Sequence, residues 1–142
     1  MRKVREWGAV AAAGIAAGGF INACEWLAHG WWLDAAWNDA FAALGRKTTG
    51  WAVFVPANFV VGVLAVVAYR WAEHHYGRGV RTNVGAAAGI WMVFWVVPIG
   101  ALVPLDVFPD RLLAAVIAVG VVDGFGGTLL GAWLFRRLRA AA

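Results

Sequence analysis

Four apolar stretches constrain this chain more than any other feature. Trp7–Trp32, Gly50–Trp71, Val84–Leu105 and Leu112–Phe135 are each long enough to cross ~30 Å of hydrocarbon, which takes about 20 residues of helix. In lipid every backbone N–H and C=O must be satisfied within the structure, which leaves helices or a closed barrel. Barrel strands would alternate polar and apolar residues over about 10 positions, and no stretch here does so. The reading is therefore all-α: a polytopic integral membrane four-helix bundle, one membrane domain over residues 1–142. With 63% hydrophobic and 14% charged residues, the chain lies outside the range of soluble domains.

Charge placement sets the expected orientation. Arg2, Lys3, Arg5, Arg70, Arg78, Arg81, Arg136, Arg137 and Arg139 fall before span one, between spans two and three, or after span four, whereas only Arg46, Lys47 and Arg111 lie in the other two loops. The positive-inside rule then puts both termini in the cytoplasm and the loops 33–49 and 106–111 outside. These basic residues flank spans, so they read as topology anchors, and nucleic acid is not implied. The first span is too long for a signal-peptide core, which runs to about 7–15 apolar residues, and is expected in the mature protein. Abundant Ala, Gly, Val, Arg and Trp with only two Lys suggests a bacterial chain, hence a bacterial cytoplasmic (inner) membrane.

Span one carries a stripe. Ala11, Gly14, Gly18, Asn22, Glu25, His29 and Trp32 recur every three or four residues and share one helix face. Gly14 and Gly18 admit close approach of another backbone, and Asn22, Glu25 and His29 add polar groups to that surface. Span four repeats the pattern with Gly120, Asp123, Gly127 and Gly131, so spans one and four are expected to pack through Gly14/Gly18 and Gly120/Gly127. Span two carries Asn58, Gly62, Ala65 and Tyr69, with Thr49 as a cap and Pro56 expected to disturb the helix near Asn58. Span three opens with Gly85 and Gly89 as a packing face and holds no ionisable residue. His74 and His75 are expected in a solvated loop.

Between spans one and two, Asp34 can cap a short amphipathic helix, 34–44, that presents Trp37, Phe41 and Leu44 on one face and ends at Gly45. That face should lie on the outer membrane surface, joining Trp31, Trp32 and Trp51 in an aromatic belt, or close over the bundle as a lid.

Depth along the helices brings Asn22, Asn58 and Asp123 to one level near the midplane, with Glu25 and His29 toward the outer side. A charge at mid-bilayer costs about 2.5–3.5 kcal/mol on the mildest scale. Glu25 and Asp123 must therefore be protonated, be hydrated, or hold a cation. Three uses follow. A neutral hydrogen-bonded network would fix helix register in an accessory subunit of a larger membrane complex. An outward-open cavity of Asn22, Glu25, His29, Asn58 and Asp123 would bind or carry a proton or a cationic, protonatable ligand. The i, i+4 pair Glu25 and His29 would ligate a metal, a haem or a chlorin. No cofactor is specified by a motif. The chain has no serine, no CxxC (Cys24 is its one cysteine, read as pointing away from the stripe) and no HExxH, so serine hydrolysis is excluded and a non-enzymatic role is expected. Homo-oligomerisation is open.

A carboxylate in the first of four spans, Glu25, resembles the small multidrug-resistance exporters, and this resemblance implies exchange of cations against protons. The chain departs from their pattern in the second acid, Asp123, and in its biased loop charge. Asn22-x-x-Glu25, the turn Ala43–Gly45 and the run Leu129–Arg136 look like small uncharacterised four-span bacterial membrane proteins, a resemblance that implies a fold and no function.

Overall fold

The computed structural model describes residues 2–48 and 50–141, with backbone alone for Arg2, Lys3 and Trp51; the proposed Thr49 cap and the Trp51 side chain lie outside what is described. Among the described residues the chain is helical throughout, with no strand. Helix α1 (Arg2–Leu27) continues through a π turn, Ala28–Trp32. A short surface helix, α2 (Asp34–Ala43), follows, then α3 (Phe54–Tyr76). Helix α4 (Val80–Trp91) continues through a second π turn, Met92–Val96, into the short α5 (Val97–Gly100), and the last helix is α6 (Asp110–Ala140). Among the described residues four helices are long and apolar enough to cross a membrane: Val4–Trp32, Phe54–Tyr76, Val80–Leu105 and Asp110–Ala140.

Helix α1 packs on α3 and α6, α4 packs on the same two helices, and α3 and α6 meet across the middle. The ends that carry the termini are tied by Glu6–Arg70 at 2.8 Å and Glu73–Arg139 at 2.7 Å. At the far end Trp37 and Phe41 of α2 meet Phe108 edge-on, with centroids 5.5 and 5.6 Å apart. One apolar cluster around Ile21, Val61, Trp95 and Val116 fills the far half, and another around Val10, Val66, Tyr69 and Phe135 fills the terminal half. The outward faces remain apolar: Trp26, Leu27, Val60, Val93 and Val122 are all more than half exposed.

Several expectations change. The span limits move because polar residues extend the helices: α3 begins at Phe54, after a separate 3-10 turn, and runs on through His74 and His75 to Tyr76. The two histidines are thus exposed helical residues rather than loop residues. Gly77, at φ 75°, stops α3, a left-handed conformation that favours glycine. The later start puts Pro56 in the first turn of α3, where its missing N–H would have had no helical partner, so α3 is regular at Asn58. The irregularity lies instead in the π turns: Leu33 N–H reaches Ala28 O at 2.7 Å, and Val97 N–H reaches Met92 O just before Pro98. Asp34 is the first residue of α2 and not its side-chain cap; its carboxylate accepts from Asn38 Nδ2 at 3.0 Å. Gly45, at φ 67°, ends α2 as expected, with Gly45 N–H on Ala42 O and Arg46 N–H on Phe41 O, the paired bonds of a Schellman motif. Leu44 is exposed.

The glycine faces find different partners from those expected. A side chain at Gly14 would start 2.6 Å from Val63 Cα, and one at Gly18 would start 2.6 Å from Phe59 Cα. Both are residues of α3. Gly62 of α3 fits between them, facing Gly14 O and Gly18 N. The Gly14/Gly18 face therefore packs on span two and not on span four. Span four uses its own glycines twice: Gly120 and Gly124 receive Trp95 and Trp91, whereas Gly127 receives Ile21 of α1 and Gly131 receives Val66 of α3. Against α6, α1 presents the buried Ala13, Ala17 and Ile21. Close approach matters here because lipid supplies no hydrophobic drive between helices and association rests on packing and polar contacts.

Candidate functional site

The Gly14–Gly18–Gly62 contact brings α1 and α3 together one turn before the first polar pair. Asn58 Nδ2 donates to Asn22 Oδ1 at 3.1 Å, and Asn22 Nδ2 donates to Val55 O at 3.2 Å. One turn farther along α1, Glu25 turns toward the rest of the bundle. Its Oε1 accepts from Trp95 Nε1 at 3.3 Å, and its Oε2 lies 3.4 Å from His29 Nε2. His29 Nδ1 accepts from Trp37 Nε1 at 2.8 Å. An indole N–H only donates, so this bond fixes the hydrogen of neutral His29 on Nε2 and aims it at Glu25. The result is a directed chain: Trp37 to His29 to Glu25, with Trp95 as second donor. Both π turns serve it, since His29 sits in one and Trp95 in the other. Such one-residue insertions occur frequently at functional sites.

Two adjoining cavities open on this chain, of about 270 and 290 Å³, and Glu25, His29, Phe54 and Asn58 line both. The first is walled by Trp37, Trp95 and Phe94; the second extends to Asn22 and Trp26. Neither is lined by a lysine or arginine. The structure thus brings Asn22, Asn58, Glu25 and His29 to one place. Asp123 is different: it lines neither cavity and is fully buried. It lies within electrostatic reach of Glu25 and Cys24, so Cys24 faces α6 while the glycine stripe of α1 faces α3.

A metal at Glu25 and His29 would have to displace an existing partner, because both imidazole nitrogens are engaged. Among the described residues no group of three or more His, Cys, Asp or Glu side chains could hold a metal ion. The polar partners that sequence reasoning missed are Trp37 and Trp95. A buried indole N–H generally finds an acceptor, so both rings carried a signal, but 70 residues separate Trp95 from Glu25 and no local spacing pairs them. Trp37, expected in the outer aromatic belt, is buried over the site, whereas Trp31 and Trp32 are exposed.

Comparison with protein-family models, with curated proteins and with solved structures finds no match to this chain. The functional reading therefore rests on the geometry.

Proposed function

We propose that this is a multi-pass protein of the bacterial cytoplasmic membrane, both termini inside, that binds a cationic, protonatable ligand at Glu25 in the cavity beneath α2. The observation that carries the reading is a carboxyl group at an aromatic-walled cavity with no lysine or arginine among its described lining residues, backed by a second buried carboxyl, Asp123, close to it. Two nearby carboxyls cannot both carry charge without a compensating cation or proton. A cation over the faces of Trp37, Trp95 or Phe54 gains about 0.5–2 kcal/mol from the ring quadrupoles, in addition to its attraction to Glu25. An anion would meet repulsion. Asn22 and Asn58 hold α1 against α3 at the cavity wall, and α2 closes the site through Trp37. The role is binding or carriage, without chemistry on the ligand.

The test is isothermal calorimetry of the purified full chain with benzyltrimethylammonium, and with benzenesulfonate as the anionic counterpart. Binding of the cation alone, weakened at least about tenfold in Glu25→Gln, supports the reading. Equal binding of both probes, or a cation affinity untouched by Glu25→Gln, would refute it. An accessory subunit, by contrast, would bind neither probe and would co-purify with unlike membrane chains.

A further inference from the structure

Gly85 and Gly89, which the sequence offers as a packing face, are left unpacked. No atom lies within 4 Å of where a side chain would begin at either position. Together they floor a groove of about 660 Å³ between α3 and α4, walled by Trp71, Tyr76, Ile90 and Phe94. Its lining residues on α4 and the π turn that continues it recur from Arg81 and Thr82 to Val93 and Phe94 in steps of four, so the groove follows the helix for about 20 Å at 1.5 Å per residue. An extended hydrocarbon chain fits such a long apolar groove.

The two ends of the groove differ chemically. The end toward the middle of the bundle is apolar, whereas the end toward the termini is marked by Arg81, which is exposed and makes no ion pair among the described residues. Among the described residues no acid lines the groove. Thr82 is occupied, its hydroxyl donating to Gly77 O at 2.8 Å. A planar guanidinium matches the oxygens of a phosphate, and basic residues at such interhelical sites recognise anionic head groups.

We propose that this groove holds one acyl chain of an anionic phospholipid, whose phosphate pairs with Arg81. The site is distinct from the cavity at Glu25, and neither reading depends on the other. Native mass spectrometry of the full chain, released from nanodiscs of equal phosphatidylglycerol and phosphatidylcholine, tests it. The wild type should retain phosphatidylglycerol preferentially, and Arg81→Ala should reduce that preference about fivefold. Gly89→Leu fills the groove and should lose both lipids, whereas Arg111→Ala, at the opposite end, should retain the wild-type preference. Thermal unfolding checks that the variants fold, and Arg81→Ala, an exposed change, keeps the test open should Gly89→Leu not fold. Soluble glycerol 3-phosphate should not bind, because it lacks the chain. Equal retention of the two lipids, a preference that survives Arg81→Ala, tight binding of glycerol 3-phosphate, or a second polypeptide in place of lipid would each overturn the proposal.

Discussion

Replacing Gly62 by alanine adds one methyl group where the backbones of α1 and α3 meet. That methyl would meet backbone rather than flexible side chain: Gly14 O, Gly18 N, and Gly18 Cα at 2.7 Å. Nothing there can rotate away, so α1 and α3 must separate. Overpacking of this kind costs about 1–3 kcal/mol. The separation also strains the Asn58–Asn22 bond one turn away, and such interhelical polar bonds contribute about 0.6 kcal/mol each in membrane proteins. The expected loss is about 2–4 kcal/mol. Gly19→Ala is the control, on α1, the other helix of the contact, but with nothing within 4 Å; it should be neutral or stabilise by about 0.5–1 kcal/mol through helix propensity. Reversible unfolding in mixed micelles, followed by tryptophan fluorescence, compares the two. Equal stability of Gly62→Ala and Gly19→Ala would refute the close contact and with it the placement of Asn22 beside Asn58.

Three further outcomes are expected. Trp37→Phe removes the donor to His29 Nδ1 and should lower benzyltrimethylammonium affinity by up to about tenfold, measured by calorimetry, while the far-UV circular dichroism is unchanged. Glu73→Gln weakens a buried carboxylate held by Tyr69 Oη, Arg78 Nε and Arg139 Nη2 at 3.0, 2.9 and 2.7 Å. It should cost about 1.5–3 kcal/mol of stability by chemical denaturation and leave cation binding intact, because it lies at the opposite end of the bundle. In a Cys24→Ala background, cysteines at Arg46 and Ala140 should react with a membrane-impermeant maleimide from opposite faces, the former from outside; labelling of both from one face would contradict the four-span topology.

The sequence was most informative where one helix speaks for itself. Apolar length marked four spans, and the spacing of Trp37, Phe41 and Gly45 marked α2 and its end. Depth counting along separate helices brought Asn22 level with Asn58, because rise per residue is nearly constant. Azimuth was harder to read. Gly14 and Gly18 announce a close neighbour without saying which, and the neighbour proved to be Gly62 of the adjacent hairpin arm. Gly85 and Gly89 have the same spacing as Gly14 and Gly18, yet no helix covers them. The bonds of Trp37 and Trp95 depend on where two π turns fall, and those inserted residues rotate everything beyond them in a way that periodicity cannot anticipate. The burial of Asp123 follows from how Trp95 and Ile21 fill the glycine notches of α6 on either side of it.

The central claim, a cation held at Glu25, is tested most directly by counting protons released when benzyltrimethylammonium binds. Cation and proton compete for the same carboxyls, so affinity should fall as pH falls, and protons should leave wherever the carboxyls were protonated beforehand. Calorimetry in two buffers of different ionisation enthalpy, repeated across pH, gives that count for the wild type and for Glu25→Gln. The account predicts proton release in the wild type, growing as pH falls, and its loss in Glu25→Gln together with most of the affinity. Binding that releases no protons at any pH and is equal in the two proteins would contradict it.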